Sequence, residues 1–553
     1  MARQDYTSID PKQLPSLVRQ LLAGRGFVTD DQIQEFLQPD YATSLHSPWL
    51  MTDMDKAADR IVQAIEQQQS VAIYGDYDID GITATAVMVT AFELWGLKVQ
   101  AYIPNRFEEG YGINEQALTN LRAAGAELVI SVDCGITSVN EALWARQHGL
   151  DLVITDHHTP PPELPQAVAV VNPKRSGDTY PYRELAGVGV AFKVVQAVSE
   201  RLGRPAEGQL KWLLDLVALG TVCDVVPLNG ENRTLVFYGL RVLRQTRRVG
   251  LRALAQVAGI DISGIRSTHL GFGLGPRLNA SGRLEHAALS LELVLTGDTA
   301  RATAIAATLD DLNRQRQSDQ ARIVKEALTQ AEIFESSPVL VLADKAWSHG
   351  IVGIAASKVV EQAGKPTLVA QVLGDIIKGS ARSVAGFNII EALRAQPELF
   401  VKFGGHAYAA GFTIQSEKLN DLRQHLENYW REHAVDQETG REDGEIIVSD
   451  MSVIDQELVA ALQMLEPFGN GNPEPLFELQ GVRARSLTTM GASGQHVRGM
   501  VVDQSAQKLP LVAFGWTGRL DELAEATTLI GTLNQNEWRG VMTIQLMARR
   551  AYK

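Results

Sequence analysis

Three carboxylates at alternate positions, Asp76, Asp78 and Asp80, follow directly on the apolar run Val71-Ala72-Ile73-Tyr74 and are bracketed by Gly75 and Gly81. An apolar run that ends in glycine and acid reads as a buried strand whose carboxyl end meets a cleft, the edge at which open α/β sheets bind ligands. Carboxylates this close repel one another strongly unless a cation or protons compensate, and hard oxygen donors favour Mg²⁺, Mn²⁺ or Ca²⁺. An isolated acidic pair is as readily a turn after a strand, so the metal reading depends on further ligands. Two more apolar runs supply them: Leu128–Val132 leads into Asp133-Cys134-Gly135, and Leu152-Val153-Ile154-Thr155 leads into Asp156-His157-His158. Parallel strands align their carboxyl ends, so these groups can converge, and Asp224, which closes the apolar segment Leu213–Cys223, can complete the ring. Such a set suits two divalent ions about 3.5–4 Å apart that clamp a phosphoryl group and activate water, with Asp133 as the bridging carboxylate.

The elements that must position these groups follow from periodicity. Short helical stretches at 16–25 and 30–38 form an N-terminal extension, and a helical pattern from Asp53 to Gln69 leads into the Val71 strand. Helix (81–95), strand (98–103), helix (114–124), strand (127–132), helix (138–148) and strands (151–154, 167–171) then alternate, which indicates a parallel sheet covered on both faces. If the chain stays extended through Asp80, the three carboxylates share one face. Helical patterns at 208–219 and 233–245 follow, and 300–334 reads as one polar-rich helix crossing solvent between two domains. A second α/β unit runs from Pro338 to about Glu432, and the polar run 436–444 reads as a linker. Short β-like runs at 482–487, 497–502, 509–514 and 541–547 suggest a small β-barrel.

Bulk properties bound the class. At 553 residues and 45% hydrophobic the chain is long enough for several domains, and no stretch resembles a membrane span or secretory signal, so the cytoplasm is the expected compartment. Cys134 and Cys223 are too few for a disulfide framework or a Cys-based zinc site. A net charge of −14 argues against nonspecific polyanion binding, yet leaves room for a confined basic track: from Gly481 onward nine basic residues stand against five acidic ones. In that segment Phe514, Trp516 and Trp538 are candidate base-stacking residues, with Phe514 more readily read as core.

Taken in order, Asp78-x-Asp80, Asp133, Asp156-His157-His158 and Asp224 match the four motifs of the DHH phosphoesterase superfamily. Within it the chain resembles the RecJ family, in Tyr74–Gly81, Glu109-Gly110-Tyr111-Gly112, Ala186–Lys193, Leu219–Leu228 and Gly275–Arg283. Trp347-Ser348-His349-Gly350, Lys378–Ser383 and Gly404-Gly405-His406 resemble its DHHA1 domain, and Pro467–Pro475 its oligonucleotide-binding (OB) barrel. The resemblance implies an α/β protein: an N-terminal extension (1–50), a parallel-sheet DHH domain (51–298), a connector helix (299–335), a smaller α/β DHHA1 domain (336–435) and a C-terminal OB-type β-barrel (445–553). It implies a processive 5′-to-3′ exonuclease that degrades single-stranded DNA to 5′-mononucleotides in repair and recombination, using two Mn²⁺ or Mg²⁺ ions.

Carried over by motif, Asp76, Asp78, Asp80, Asp133, His157 and Asp224 are the implied metal ligands. Asp78, Asp133, Asp156 and His158 form the catalytic group, His158 contacting the scissile phosphate or moving a proton. Arg106, Arg277, Asn279, Arg283, Ser348, His349, Lys378, Ser380, Arg382 and His406 would grip the strand or its 5′ phosphate. Where other DHH enzymes place a histidine four residues before the first Asp of the D-x-D pair, this chain has Tyr74, which makes Asp76 the least secure ligand. The implied partner is single-stranded DNA, with a single-stranded-DNA-binding protein and a helicase as further candidates; no membrane association is expected, and a monomer is. Some relatives carry another domain beyond the barrel, which this chain is expected to lack. Two alternatives remain: a DHH-type nanoRNase or cyclic-dinucleotide phosphodiesterase, for which the added regions are superfluous, and a catalytically silent replication-associated scaffold, for which the acidic positions need not be filled.

Overall fold

The computed structural model describes residues 10–106, 109–110, 112–434, 443–491, 494–538 and 541–553. Most of the linker read at 436–444, and Tyr111 of the glycine-containing motif, lie outside the described residues. The first domain is built on β1 (Val71–Gly75), β2 (Gln100–Tyr102), β3 (Leu128–Val132), β4 (Asp151–Thr155) and β5 (Ala169–Val171), all parallel, in the order β2-β1-β3-β4-β5. Alternate residues of β1 enter different cores, Val71 and Ile73 on one face, Ala72 and Tyr74 on the other, which is why its apolar run is unbroken. The register pairs Gly75 with Val132 and Val132 with Thr155, so the three strands end level. Strand order reverses between β1 and β3, the position at which such sheets open a crevice.

The chain does not remain extended through Asp80. It turns after Gly75, Asp78 caps the helix Ile79–Trp95 by accepting from Gly81 N, and Asp80 lies in the first helical turn. Asp is a strong N-cap residue, and the helix is buried on nearly every side, so burial rather than amphipathic pattern fixes it. The segment read as strand-like before Asp224 is likewise the end of a buried helix, Leu214–Cys223, with Asp224 at its C-cap.

The helix Thr299–Glu332 has 34 residues, about 50 Å at the helical rise. It does not cross solvent along its length. Ala302, Ile305 and Leu309 enter the first domain's core, and Ile323, Val324 and Ala327 enter that of the second. The polar majority hides two separate apolar faces. The second domain is a mixed sheet of β6 (Leu340–Asp344), β7 (Thr367–Leu373), β8 (Ile376–Arg382), β9 (Phe400–His406) and β10 (Ala409–Gln415), ordered β6-β7-β8-β10-β9. A seven-stranded sheet forms the C-terminal domain, in which Thr528–Trp538 and Val541–Tyr552 make the longest hairpin. No helix among the described residues is long and apolar enough to cross a membrane.

The N-terminal segment packs with the other end of the chain. Val18 and Leu22 of helix Ser16–Gly24 and Phe36 of helix Asp30–Leu37 share a core with Phe477, Leu529 and Leu546. Arg233, buried in the first domain, clasps this assembly. Its Nε donates to Phe36 O at 2.8 Å, Nη1 to Leu465 O at 3.1 Å and Nη2 to Glu466 O at 3.0 Å, and the guanidinium lies 3.7 Å from the Phe36 ring centre. Arg233→Met keeps the stem but removes the guanidinium donors from Phe36 O and Glu466 O, while Leu465 O keeps Asn472 Nδ2 at 2.8 Å, so a loss of about 2–3 kcal/mol is expected. The measure is the urea unfolding midpoint, and an unchanged midpoint contradicts the clasp.

Candidate metal centre

Asp133 follows β3 directly, Asp156 and His157 follow β4, and Asp76 follows β1, so the level strand ends set these groups side by side. Asp133 has φ +59°, a left-handed backbone uncommon outside glycine that turns the chain away from the sheet. His157 Nε2 lies 3.2 Å from Asp133 Oδ1, 3.7 Å from Asp224 Oδ2 and 3.8 Å from Asp80 Oδ2. Two donor groups result. Asp80, His157 and Asp224 each offer an atom within 4.8 Å of the others, and so do Asp76, Asp78 and Asp133. Asp133 also groups with His157 and His158, which places it between the two sets.

Asp156 serves a different purpose. Oδ2 accepts from Ile136 N at 2.9 Å, while Oδ1 accepts from His157 N at 2.7 Å and His158 N at 3.0 Å and meets His158 Nδ1 at 2.7 Å. Oδ1 is thus committed to orienting the two histidines, and Oδ2 is anchored on the Ile136 amide. Burial pushes the Asp156 carboxyl up, but the His158 hydrogen bond and charge outweigh it and hold it below the usual range. For His158 burial pulls down, the Asp156 hydrogen bond and charge outweigh it, and the imidazole is raised to about 9. Asp80 accepts from Gly187 N at 2.6 Å and Val188 N at 2.9 Å, the first amides of helix Gly187–Leu202, where the helix dipole favours negative charge.

That support is incomplete. Burial and then Asp78 push Asp76 well above the carboxylate range; burial and then Asp224 do so for Asp80, and burial and then Asp80 for Asp133. Asp224 is pushed up to about 7 by burial and then by Asp78, whereas burial and then His158 push His157 down to about 3. His157 is therefore a neutral imidazole with a lone pair available, the form that binds metal. Asp76 Oδ1, Asp133 Oδ1, His157 Nε2 and Asp224 Oδ2 are buried without hydrogen-bond partners. Oxygen-rich donors with one imidazole, desolvated and unpartnered, fit divalent cations. Tyr74 is not a ligand in place of histidine, because its hydroxyl donates to Gly112 O on the far side of β1. Gly187, in the Ala186–Lys193 motif, makes room for Asp133, a role its sequence position does not signal: a Cβ there would lie 2.5 Å from Asp133 Oδ1.

Basic groups face the cluster. Arg106, whose guanidinium lies 4.9 Å from the Tyr77 ring centre, joins Asn279, Arg283, Asp78 and Asp224 around a cavity of about 200 Å³. Arg283 Nη1 donates to Gly350 O of the second domain, next to Ser348 and His349. On that domain Ser380 and Arg382 crowd Gly353, and His406, Ala409 and Arg382 form one row across three strands. Burial lowers His349, with Lys378 and Arg106 adding repulsion, so the imidazole is neutral and feels both cations. Arg277 is turned elsewhere: its Nε pairs with Asp310 of the long helix at 2.8 Å, and its Nη1 donates to Gly273 O.

The aromatic assignments reverse on folding. Phe514 is 59% exposed and Trp516 only 4%. Phe514 caps a strand end beside a trench of about 930 Å³ with Arg519, Arg549 and Arg550, while Trp516 sits in the domain core with Arg519 over its ring. The Trp538 side chain lies outside the described residues.

Family models match the chain in three places: the DHH family, N-terminal domain, over residues 70–221; the DHHA1 domain over 336–432; and the RecJ OB domain over 443–550. The single-stranded-DNA-specific exonuclease RecJ of Bacillus subtilis is 41% identical over 542 residues, 97% of this chain and 68% of that protein. The corresponding protein of Dickeya dadantii is 36% identical over 565 residues, 97% of this chain and 96% of that one. The crystal structure of RecJ in complex with Mn²⁺ from Thermus thermophilus matches with a TM-score of 0.82 and 29% identity, over 98% of this chain and 78% of that chain.

The shifted groups fix a pH dependence for the chelated protein. Asp224 holds a proton in the folded state up to about pH 7, so its stabilisation is present at low pH and lost as pH rises from the ordinary carboxylate value through 7. The His158 contribution is full below its ordinary value and lost as pH rises through about 9. The thermal midpoint in chelator should therefore fall as pH rises from about 6 to about 9. Saturating Mn²⁺ should stabilise the fold by about 2.7 kcal/mol at a hundredfold excess over Kd, and Asp133→Asn should remove that increment.

Proposed function

The chain belongs to the RecJ family of DHH phosphoesterases, and on that premise we propose that it hydrolyses single-stranded DNA from the 5′ end to 5′-mononucleotides, in the cytoplasm, in the service of repair and recombination. The observation that carries this reading is the pair of donor groups that meet where His157 lies 3.2 Å from Asp133, beside a narrow cavity lined by Arg106 and by Arg283, which reaches the second domain. Two divalent ions, Mn²⁺ or Mg²⁺, supply the charge neutralisation and water activation that phosphodiester hydrolysis requires. Asp76, Asp78 and Asp133 would hold one, and Asp80, His157 and Asp224, with Asp133 beside them, would hold the other; the imidazole favours Mn²⁺.

The chain's own groups do the rest. Asp156 fixes the His158 ring through Nδ1 and keeps it cationic, so that Nε2 can stabilise a phosphate oxygen or give its proton to the leaving oxygen. Arg106, Asn279 and Arg283 orient the scissile phosphate. Ser348, His349, Lys378, Ser380, Arg382 and His406 receive the terminal phosphate from the second domain, and a chain end gripped in this way sets direction. Arg277 acts indirectly, holding the helix of Asn279 and Arg283 against the long helix through Asp310. The strand leaves across the C-terminal domain, past Phe514, Arg519, Arg549 and Arg550. A groove held between domains by one continuous helix admits a single strand, and attack on a blunt duplex is correspondingly slow.

One single-stranded oligonucleotide, labelled at each end in turn and digested with Mn²⁺ or Mg²⁺, tests the reading. A 5′ label should appear at once as mononucleotide and a 3′ label only late, with no product in chelator. Asp133→Ala should abolish cleavage, and His158→Gln should lower kcat by roughly 10²–10⁴ with little change in KM. Preference for a dinucleotide over the long strand would instead favour a short-substrate phosphodiesterase, and cleavage by Asp133→Ala would remove the proposed centre.

A further inference from the structure

Beside the metal cluster lies a larger cavity whose walls are mainly apolar. It measures about 530 Å³, within the range of small-molecule sites, and Ile79, Val222, Val226, Leu228 and Phe468 line it. Cys223, Asn279 and Arg283 line both it and the cavity that contains Asp78 and Asp224. At the other end Ser267, Phe468 and Arg549 line both it and the trench beside Phe514. The apolar chamber thus sits between the reacting groups and the C-terminal domain. Arg283 and Arg316 stand at its wall, and its one carboxylate, Glu474, lies 3.7 Å from Arg549.

Two residues at its edge are costly for a chain that has only to fold. Phe272 is 86% exposed, more than any other large hydrophobic side chain among the described residues. It belongs to a π-helical turn, Leu270–Leu274, that runs directly into the helix bearing Asn279 and Arg283; such turns are rare and collect at functional sites. Val225, next to Asp224, is 64% exposed and has φ +65°, a conformation that β-branched residues seldom adopt. Asn470 of the C-terminal domain holds it there, Nδ2 donating to Val225 O at 2.8 Å while its own carbonyl accepts from Leu228 N at 2.7 Å. Backbone strain of this kind persists where the surroundings over-determine it, and it concentrates at ligand sites.

We propose that this chamber is a nucleobase site: it takes the base of the first nucleotide on the retained side of the scissile phosphodiester, stacked on Phe272, with Val225 as the opposing apolar edge. The assignment rests on the single-strand nuclease reading above. Bases share a flat, weakly hydrated face whatever their identity, so an aromatic side chain binds them without reading sequence. Arg283 and Arg316 lie where the flanking backbone phosphates pass, and the cavity order commits the base to the retained side, because the strand continues toward Phe514. A base seated in the chamber has left its partner, which adds a chemical reason for single-strand preference to the steric one.

The test uses full-length protein, chelator and single strands carrying one 2-aminopurine at the second position from either end or in the middle. Stacking quenches this fluorescent base. Wild type should quench it severalfold at the second position from the end that enters the site and much less in the middle. Phe272→Ala should lose that quenching and bind about tenfold more weakly, while Phe272→Tyr should retain both. Equal quenching by wild type and Phe272→Ala, or equal quenching at all positions, overturns the base site. Digestion of the unmodified strand with Mn²⁺ reports the nuclease reading separately: digestion with Phe272-independent quenching sinks the base site alone, and Phe272-dependent quenching without digestion leaves the base site standing without the nuclease.

Discussion

Repulsion among carboxylates in a desolvated crevice is the constraint on which this molecule is built. Asp76, Asp78, Asp80, Asp133 and Asp224 lie close together, three of them around one neutral imidazole, and such a set cannot be fully ionised without compensation. The protein provides only part of it, through the helix amides on Asp80 and through the charges of His158 and Arg106. The remainder falls to cations, and the buried lone pairs without hydrogen-bond partners are the places left for them.

The crevice exists because of how the domains are fixed. A parallel sheet gives level strand ends, and a single helix rooted in both cores holds the second domain close enough for Gly350 O to accept from Arg283. The two ends of the chain share one hydrophobic core, and Arg233 ties that core to the catalytic domain through carbonyl groups. On the proposed reading, domain placement is therefore part of the active site.

Along the cleft the chemistry changes in a useful order. Charged groups surround the metal donors, an apolar chamber follows, and a trench with arginines and one exposed phenylalanine comes last. A polynucleotide has the same composition, alternating anion and flat apolar base. On the proposed reading the match gives affinity without sequence selection, since neither phosphates nor stacked faces distinguish one base from another.

The metal chemistry and the sheet that presents it were legible in the order of residues alone. Asp133, Asp156 and His157 each follow an unbroken apolar run, and such runs form buried parallel strands whose ends must align. The length of the 299–332 helix was readable for a similar reason, a helical pattern sustained over many turns. Other features were set by packing, which local pattern does not carry. Asp80 lies in a helix and not on a strand because capping at Asp78 and burial on all sides override the alternation of acids. The long helix is rooted at both ends because its apolar faces serve two different cores. Phe514 is exposed and Trp516 buried, the reverse of the expectation for Phe514, because their burial depends on which neighbours the domain brings to them. Arg277 turns to Asp310, and Phe272 to solvent beside an apolar chamber, through contacts between segments far apart in the chain, and no spacing in the sequence encodes those.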